Sequence, residues 1–84
     1  MWTPLIRQFR HYLTLERSLS TNSIEAYTRD VEKLADYVSR EFPSKNPLEL
    51  ELEHLRRFVT ALAKLEISAY SQARIISGIK AFYR

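Results

Sequence analysis

Ser20-Thr21-Asn22-Ser23-Ile24-Glu25-Ala26-Tyr27-Thr28-Arg29-Asp30-Val31-Glu32-Lys33-Leu34-Ala35-Asp36-Tyr37-Val38-Ser39-Arg40 is the stretch on which the fold class turns. It opens on four residues that cap helices well, because short polar side chains accept the free N–H groups of a first turn. Ser20 is one candidate cap; Asn22, with Glu25 three residues on, imitates a capping box. Ile24, Tyr27, Val31, Leu34, Ala35 and Val38 then recur at helical spacing and make one apolar stripe. Phe42-Pro43-Ser44-Lys45-Asn46-Pro47 breaks the helix, since proline lacks the N–H that the next turn needs.

The same period runs outward in both directions. Upstream, Thr3 is placed to cap a first helix with Pro4 in its first turn, where a missing N–H costs nothing. Leu5, Ile6, Phe9, Tyr12 and Leu13 form its stripe, with Arg7, His11 and Thr14 facing away. Arg17-Ser18-Leu19 reads as a turn. Downstream, a third helix is expected from Glu51 to Leu65, with Leu55, Phe58, Val59, Leu62 and Leu65 facing inward. Ser68 caps a fourth, whose apolar side is Ile75, Ile76, Ile79, Phe82 and Tyr83. With one glycine in 84 residues, the expected architecture is all-α, a compact four-helix bundle in a single domain. No stop signal follows Phe82-Tyr83-Arg84, which suggests a fragment of a longer protein.

Composition narrows the function. There is no cysteine, so disulfides and thiolate-held metals are excluded and a reducing cytoplasm fits. No apolar run has the length of a membrane span, and Met1-Trp2-Thr3-Pro4 lacks the order of a secretory signal. His11 and His54 stand far apart, as solvated surface residues, and no serine has a nucleophile setting. No catalytic residue, cofactor or metal is expected. The net charge is +3, and it is unevenly spread. Glu41, Glu49, Glu51 and Glu53 crowd the middle of the chain, whereas Arg74, Lys80 and Arg84 follow residue 67 without any acid. A polyanion would meet the C-terminal segment first.

Two segments therefore point towards DNA. Ser20, Thr21, Asn22 and Ser23 offer hydroxyls, an amide and free N–H groups at a positive helix end, which suits a phosphate. Simple capping accounts for Ser20 but leaves the other three without a task. In the last helix Tyr70, Arg74, Ser77, Ala81 and Arg84 share one face, with Ala73 and Lys80 beside them. Small residues there permit close approach, and the basic ones suit phosphates or guanine edges. An ordinary solvated face is the competing reading. Gly78 costs about 0.5–1 kcal/mol in a helix relative to alanine, which implies close approach by a helix or by DNA.

At these segments the chain resembles a family. Leu19-Ser20-Thr21-Asn22-Ser23-Ile24-Glu25-Ala26-Tyr27-Thr28-Arg29-Asp30-Val31 is similar to the L-S-x-x-[ST]-[IV]-x-x-Y-x-x-[DE]-hydrophobic motif of Xer-like tyrosine recombinases and phage-type integrases. The stretch from Ile67 to Arg84 resembles that family's second signature, with Ser68, Ser71, Arg74, Ser77, Lys80, Phe82 and Tyr83 in register. Leu55, Phe58, Val59 and Leu62 are similar to its third helix; Phe9, Tyr12, Leu13, Glu16 and Arg17 to its first. The resemblance implies an N-terminal, SAM-like core-binding domain that clamps double-stranded DNA during recombination or integration. It further implies a separate catalytic domain, absent from this chain, that holds the tyrosine nucleophile; none of the five tyrosines here is that residue. The domain is then no enzyme by itself. Its partners would be DNA, its own catalytic domain and other recombinase protomers, without a membrane.

Carried over by position, the DNA-binding candidates are Ser20, Thr21, Asn22, Ser23, Ser71, Arg74, Ser77 and Lys80. Tyr27 matches the motif tyrosine, but its angle places it on the buried stripe. Ile75 stands where relatives are often basic, Gln72 where they are often apolar, and Glu51 where a capping serine or threonine is usual. DNA affinity of the isolated domain is expected to be weak and sensitive to salt. Two other readings compete: a four-helix protein-interaction module, and a stand-alone helical DNA-binding regulator. Leu65-Glu66-Ile67 lacks the glycine of a helix-turn-helix turn, which counts against the regulator. Lys80→Glu is expected to abolish DNA binding while sparing an apolar protein interface.

Overall fold

A computed structural model describes residues 2–83; Met1 and Arg84 lie outside the described residues, and with them the expected place of Arg84 on the fourth helix. Four α-helices follow in chain order, α1 (Trp2–Leu15), α2 (Thr21–Glu41), α3 (Leu52–Lys64) and α4 (Ala69–Phe82). A single 3-10 turn at Pro47–Glu49 lies between α2 and α3, and no strand occurs among the described residues. The Cα radius of gyration is 12.5 Å, close to the value of about 12 Å for a packed chain of this length.

The caps explain where the helices start. Ser20, not Asn22, caps α2: its Oγ accepts the Ser23 N–H at 3.3 Å and donates to Ser23 Oγ at 3.1 Å. Ser68 does the same for α4, accepting from the Ser71 N–H at 3.2 Å. Thr3 is already helical rather than a cap, and Pro4 sits within the first four residues, whose N–H groups have no partner inside a helix. Glu51 is the N-cap of α3 but makes no side-chain cap bond; the compensation is His54, whose Nδ1 accepts the Glu51 N–H at 2.9 Å. His54 also packs edge-on against Phe42 with centroids 4.7 Å apart. It is therefore a structural residue, half-buried, rather than the solvated histidine expected from sequence.

α3 ends without glycine. Glu66 takes φ 60°, and its N–H donates to the Ala63 carbonyl while the Ile67 N–H reaches the Leu62 carbonyl. This is the Schellman pattern, with glutamate in the left-handed position that glycine usually fills. The missing glycine thus does not prevent a tight α3–α4 turn. The chain reversal also removes Leu65 from the core; it is 72% exposed, and Ile67 packs inward in its place.

Two apolar clusters share the interior. Leu34, Val38, Phe58, Leu62, Ile75 and Ile79 close the space between α2, α3 and α4. Phe9, Leu13, Ile24 and Val31 join α1 to α2, with Ala81 and Phe82 of α4 against them. Phe82 stands between Trp2, stacked at 6.0 Å, and Phe9, edge-on at 5.5 Å, so the ends of α1 and α4 are held together. Tyr27 packs against the second cluster as its angle implies. Gly78 is explained by the same ring: a Cβ there would lie 2.9 Å from Tyr27 Cδ1, closer than packed carbons tolerate. The close approach is therefore by α2.

Tyr83 fastens the end of α4 to the loop before α3 by donating its hydroxyl to the Pro47 carbonyl at 2.9 Å. The residue keeps 38% of its surface exposed, and the partial burial of its phenol pushes the pKa up to about 12. The phenol titrates near 10 in an unfolded chain, so the stability it contributes is complete below about pH 10 and is lost as pH rises towards 12. Tyr83→Phe is expected to cost about 1 kcal/mol at neutral pH and to flatten the alkaline decline relative to wild type. Urea denaturation on either side of pH 10 checks this, and parallel declines for the two proteins would refute it.

Candidate nucleic-acid interface

At about 100° per residue, α4 turns Tyr70, Ala73, Ser77 and Lys80 to solvent. Arg74 and Ala81 lie at the margin of this face. Ser71 is on the inner side and half-buried, so it does not share the surface of Ser77 and Lys80. At the start of α2, Ser20, Thr21 and Asn22 are exposed and Ser23 is half-buried. Ser20 Oγ and the Ser23 N–H are already committed to each other.

α2 and α4 run antiparallel, with Tyr27 opposite Gly78 and Asp30 opposite Arg74. The start of α2 therefore approaches the C-terminal half of α4. A small hollow lined by Arg17, Leu19, Tyr27, Ser77 and Ala81 connects the α1–α2 turn to the exposed face of α4. Arg17 matches the family's first helix by sequence but is not among the DNA-contact candidates named from it. It lies in a turn with no periodicity, and only the packing of that turn against α4 brings it beside Ser77.

Arg74 is not a free surface cation. Its Nε donates to Asp30 Oδ2 at 2.9 Å and its Nη2 to Asp30 Oδ1 at 3.0 Å, a two-pronged pair. The Asp30 side chain is 0% exposed and that of Arg74 32% exposed. The hydrogen bond to Asp30 raises the pKa of Arg74 further, so the guanidinium is always charged. Asp30 stands at the acidic position of the motif quoted above, but the sequence reading gave it no role. The available signal was positional: an acid on the border of the α2 stripe and a base on the border of the α4 stripe.

Glu25 is paired with Arg10 of α1 at 2.9 Å, and Glu32 borders a surface hollow with Arg7 and Arg10. With Asp30 buried, the α2–α4 side presents Arg17, the outer part of Arg74 and Lys80. Lys80 has a second neighbourhood. It rims an apolar groove between α3 and α4 with Leu52, Leu55, Val59 and Ile76, so Lys80→Glu would disturb both surfaces and does not separate them as expected. Among the described residues, no three His, Cys, Asp or Glu side chains group as a metal site needs, and no helix is long and apolar enough to cross a membrane.

Comparison with known proteins adds the following. Residues 6–84 match the family described as phage integrase, N-terminal SAM-like domain. The chain is 37% identical over 81 residues to the tyrosine recombinase XerC of Pelobacter propionicus, covering 94% of this chain and 26% of that protein. It is 34% identical over 79 residues to the tyrosine recombinase XerD of Listeria monocytogenes, covering 94% of this chain and 27% of that protein. A third relative, the tyrosine recombinase XerD of Rickettsia bellii, is 37% identical over 78 residues, with 93% of this chain and 25% of that protein covered. The chain thus spans about a quarter of the length of the curated relatives it matches. No solved structure gives a significant match.

Proposed function

Because this chain belongs to the phage integrase N-terminal SAM-like domain family, we propose that it is the core-binding arm of a cytoplasmic site-specific recombinase and grips duplex DNA with its α2–α4 side. The supporting observation is that Arg17, Arg74 and Lys80 surround the small-residue face of α4 while Asp30, the acid paired with Arg74 there, is fully buried. Phosphates would meet Lys80, Ser77 and the open N-terminal turn of α2, from Ser20 to Ser23. These contacts position the domain on DNA, and the small side chains of α4 allow the helix to come close. Ser71, facing inward, would contribute through the capped turn at Ser68 rather than by its own side chain. Strand cleavage would belong to a further catalytic domain, and other protomers would complete the assembly on DNA.

A salt titration of the 84-residue chain on random-sequence duplex, followed by fluorescence anisotropy, tests the reading. Wild type should bind weakly, with log K falling by roughly 0.9 per phosphate contact for each unit of log salt. Lys80→Glu should weaken low-salt binding by about tenfold or more, since it removes one attraction and adds one repulsion. Ser77→Glu, which lies away from the α3–α4 groove, should do the same. No binding at low salt, or binding indifferent to both changes, would overturn the proposal. The groove itself, with Leu52 63% exposed beside it, favours the protein-interaction reading in that event.

A further inference from the structure

Arg74 has a geometry that a simple phosphate-attracting cation does not need. A guanidinium carries five N–H groups in a rigid plane. Asp30 takes two of them, at 2.9 and 3.0 Å, leaving three. The carboxylate is completely buried whereas the guanidinium is 32% exposed, so the bonded edge faces inward and the unbonded edge faces out. The two residues are 44 positions apart in sequence and on different helices. The pair therefore locks one side chain at the α2–α4 crossing, and no buried polar side-chain atom among the described residues lacks a partner.

We propose that Asp30 is a positioning residue, holding the Arg74 guanidinium so that its free edge donates to a DNA phosphate in a fixed direction. The inference rests on the DNA-binding reading above. Its physical content is that Arg74 acts by orientation rather than by net charge. Beside Asp30 the local charge sums to zero, so long-range attraction to DNA falls to Arg17 and Lys80, while Arg74 supplies a directed hydrogen bond with its side-chain freedom already spent. A lysine cannot substitute, because an ammonium has no second, opposed edge.

The sign of one substitution separates orientation from charge. Asp30→Asn removes one carboxylate and so takes the formal charge from +3 to +4. If charge alone mattered, the variant would bind duplex more tightly and its salt dependence would steepen. Orientation requires the opposite, binding several-fold weaker than wild type with an unchanged or shallower salt dependence. Arg74→Lys, which keeps the charge, should weaken binding to a similar degree. Both variants are compared at a temperature where circular dichroism shows full helicity. For a variant that does not fold, the Arg74 Nε–H resonance of labelled wild-type protein gives an independent readout. It should be resolved and slowly exchanging before DNA is added, and it should persist in the complex while the Nη resonances shift.

The outcomes are distinguishable. Wild type that fails to bind at low salt overturns both readings. Wild type that binds, and is weakened by Lys80→Glu, with Asp30→Asn binding equally or more tightly, overturns this inference alone. So does an Nη signal that DNA leaves unmoved.

Discussion

Arg74→Ala is expected to destabilise the domain by about 3–5 kcal/mol, because removing one partner of a buried pair leaves an uncompensated charge. The charge left behind is Asp30, which has 0% exposure and no other charged partner among the described residues. The partial exposure of Arg74 places the expected value at the lower end of that range. An 84-residue domain has a total stability of about 4–13 kcal/mol at typical values per residue, so the loss is a large share of the whole. Asp30→Asn is milder, near 1–2 kcal/mol by the usual worth of a hydrogen bond to a charged group, since the released guanidinium can turn to water. Replacing both residues by leucine should recover most of the stability, as apolar substitutes often equal a buried pair. Urea denaturation followed by far-ultraviolet circular dichroism measures all three. A loss below about 1 kcal/mol for Arg74→Ala, well under the range for a broken buried pair, would mean that water reaches Asp30. One practical consequence is that Arg74→Ala does not report on DNA contact, because it perturbs the fold first.

The second large effect is expected at Phe58. Its ring is 2% exposed and sits 5.4 Å from that of Tyr37, in the cluster that joins α3 to α2 and α4. Phe58→Ala should cost about 3–5 kcal/mol through lost transfer energy and the cavity left behind. α3 contributes Phe58 and Leu62 as its fully buried residues, with Leu55 partly buried against the same cluster, so Phe58 is one of its two main anchors. The substitution should therefore loosen α3 selectively. Hydrogen exchange would show protection lost across Leu52–Lys64 before the α1–α2 unit, whose core of Phe9, Leu13, Ile24 and Val31 is separate. Uniform loss over all four helices would argue instead for a single cooperative unit.

Much of the architecture follows from local rules. Ser20 and Ser68 are caps because their side chains reach N–H groups three residues on, an interaction complete within one turn. The apolar stripes are likewise local, since each helix repeats its own period whatever it packs against. Ile24, Val31, Leu34 and Val38 are buried as that period implies. The helix ends were harder to read. Leu65 continues the α3 stripe by spacing but is exposed, because the chain leaves the helix through Glu66 at φ 60°.

The candidate interface was legible in part. Helical angle alone puts Ser77 and Lys80 on an exposed face, and the run from Ser20 to Ser23 at a helix start. It also places Arg74 near them, but says nothing of Asp30. A carboxylate on the border of an apolar stripe is as compatible with solvent as with burial; the choice depends on which helix covers it and what that helix offers. The same holds for Gly78, whose purpose is the Tyr27 ring, and for Arg17, which approaches Ser77 only through the turn between α1 and α2. What the chain determined alone was the number of helices, the Ser20 and Ser68 caps and most of the inward positions, all set by interactions within one or two turns. The tertiary structure decided which charges are spent on the fold and which remain for a ligand, because that depends on how α2 and α4 cross.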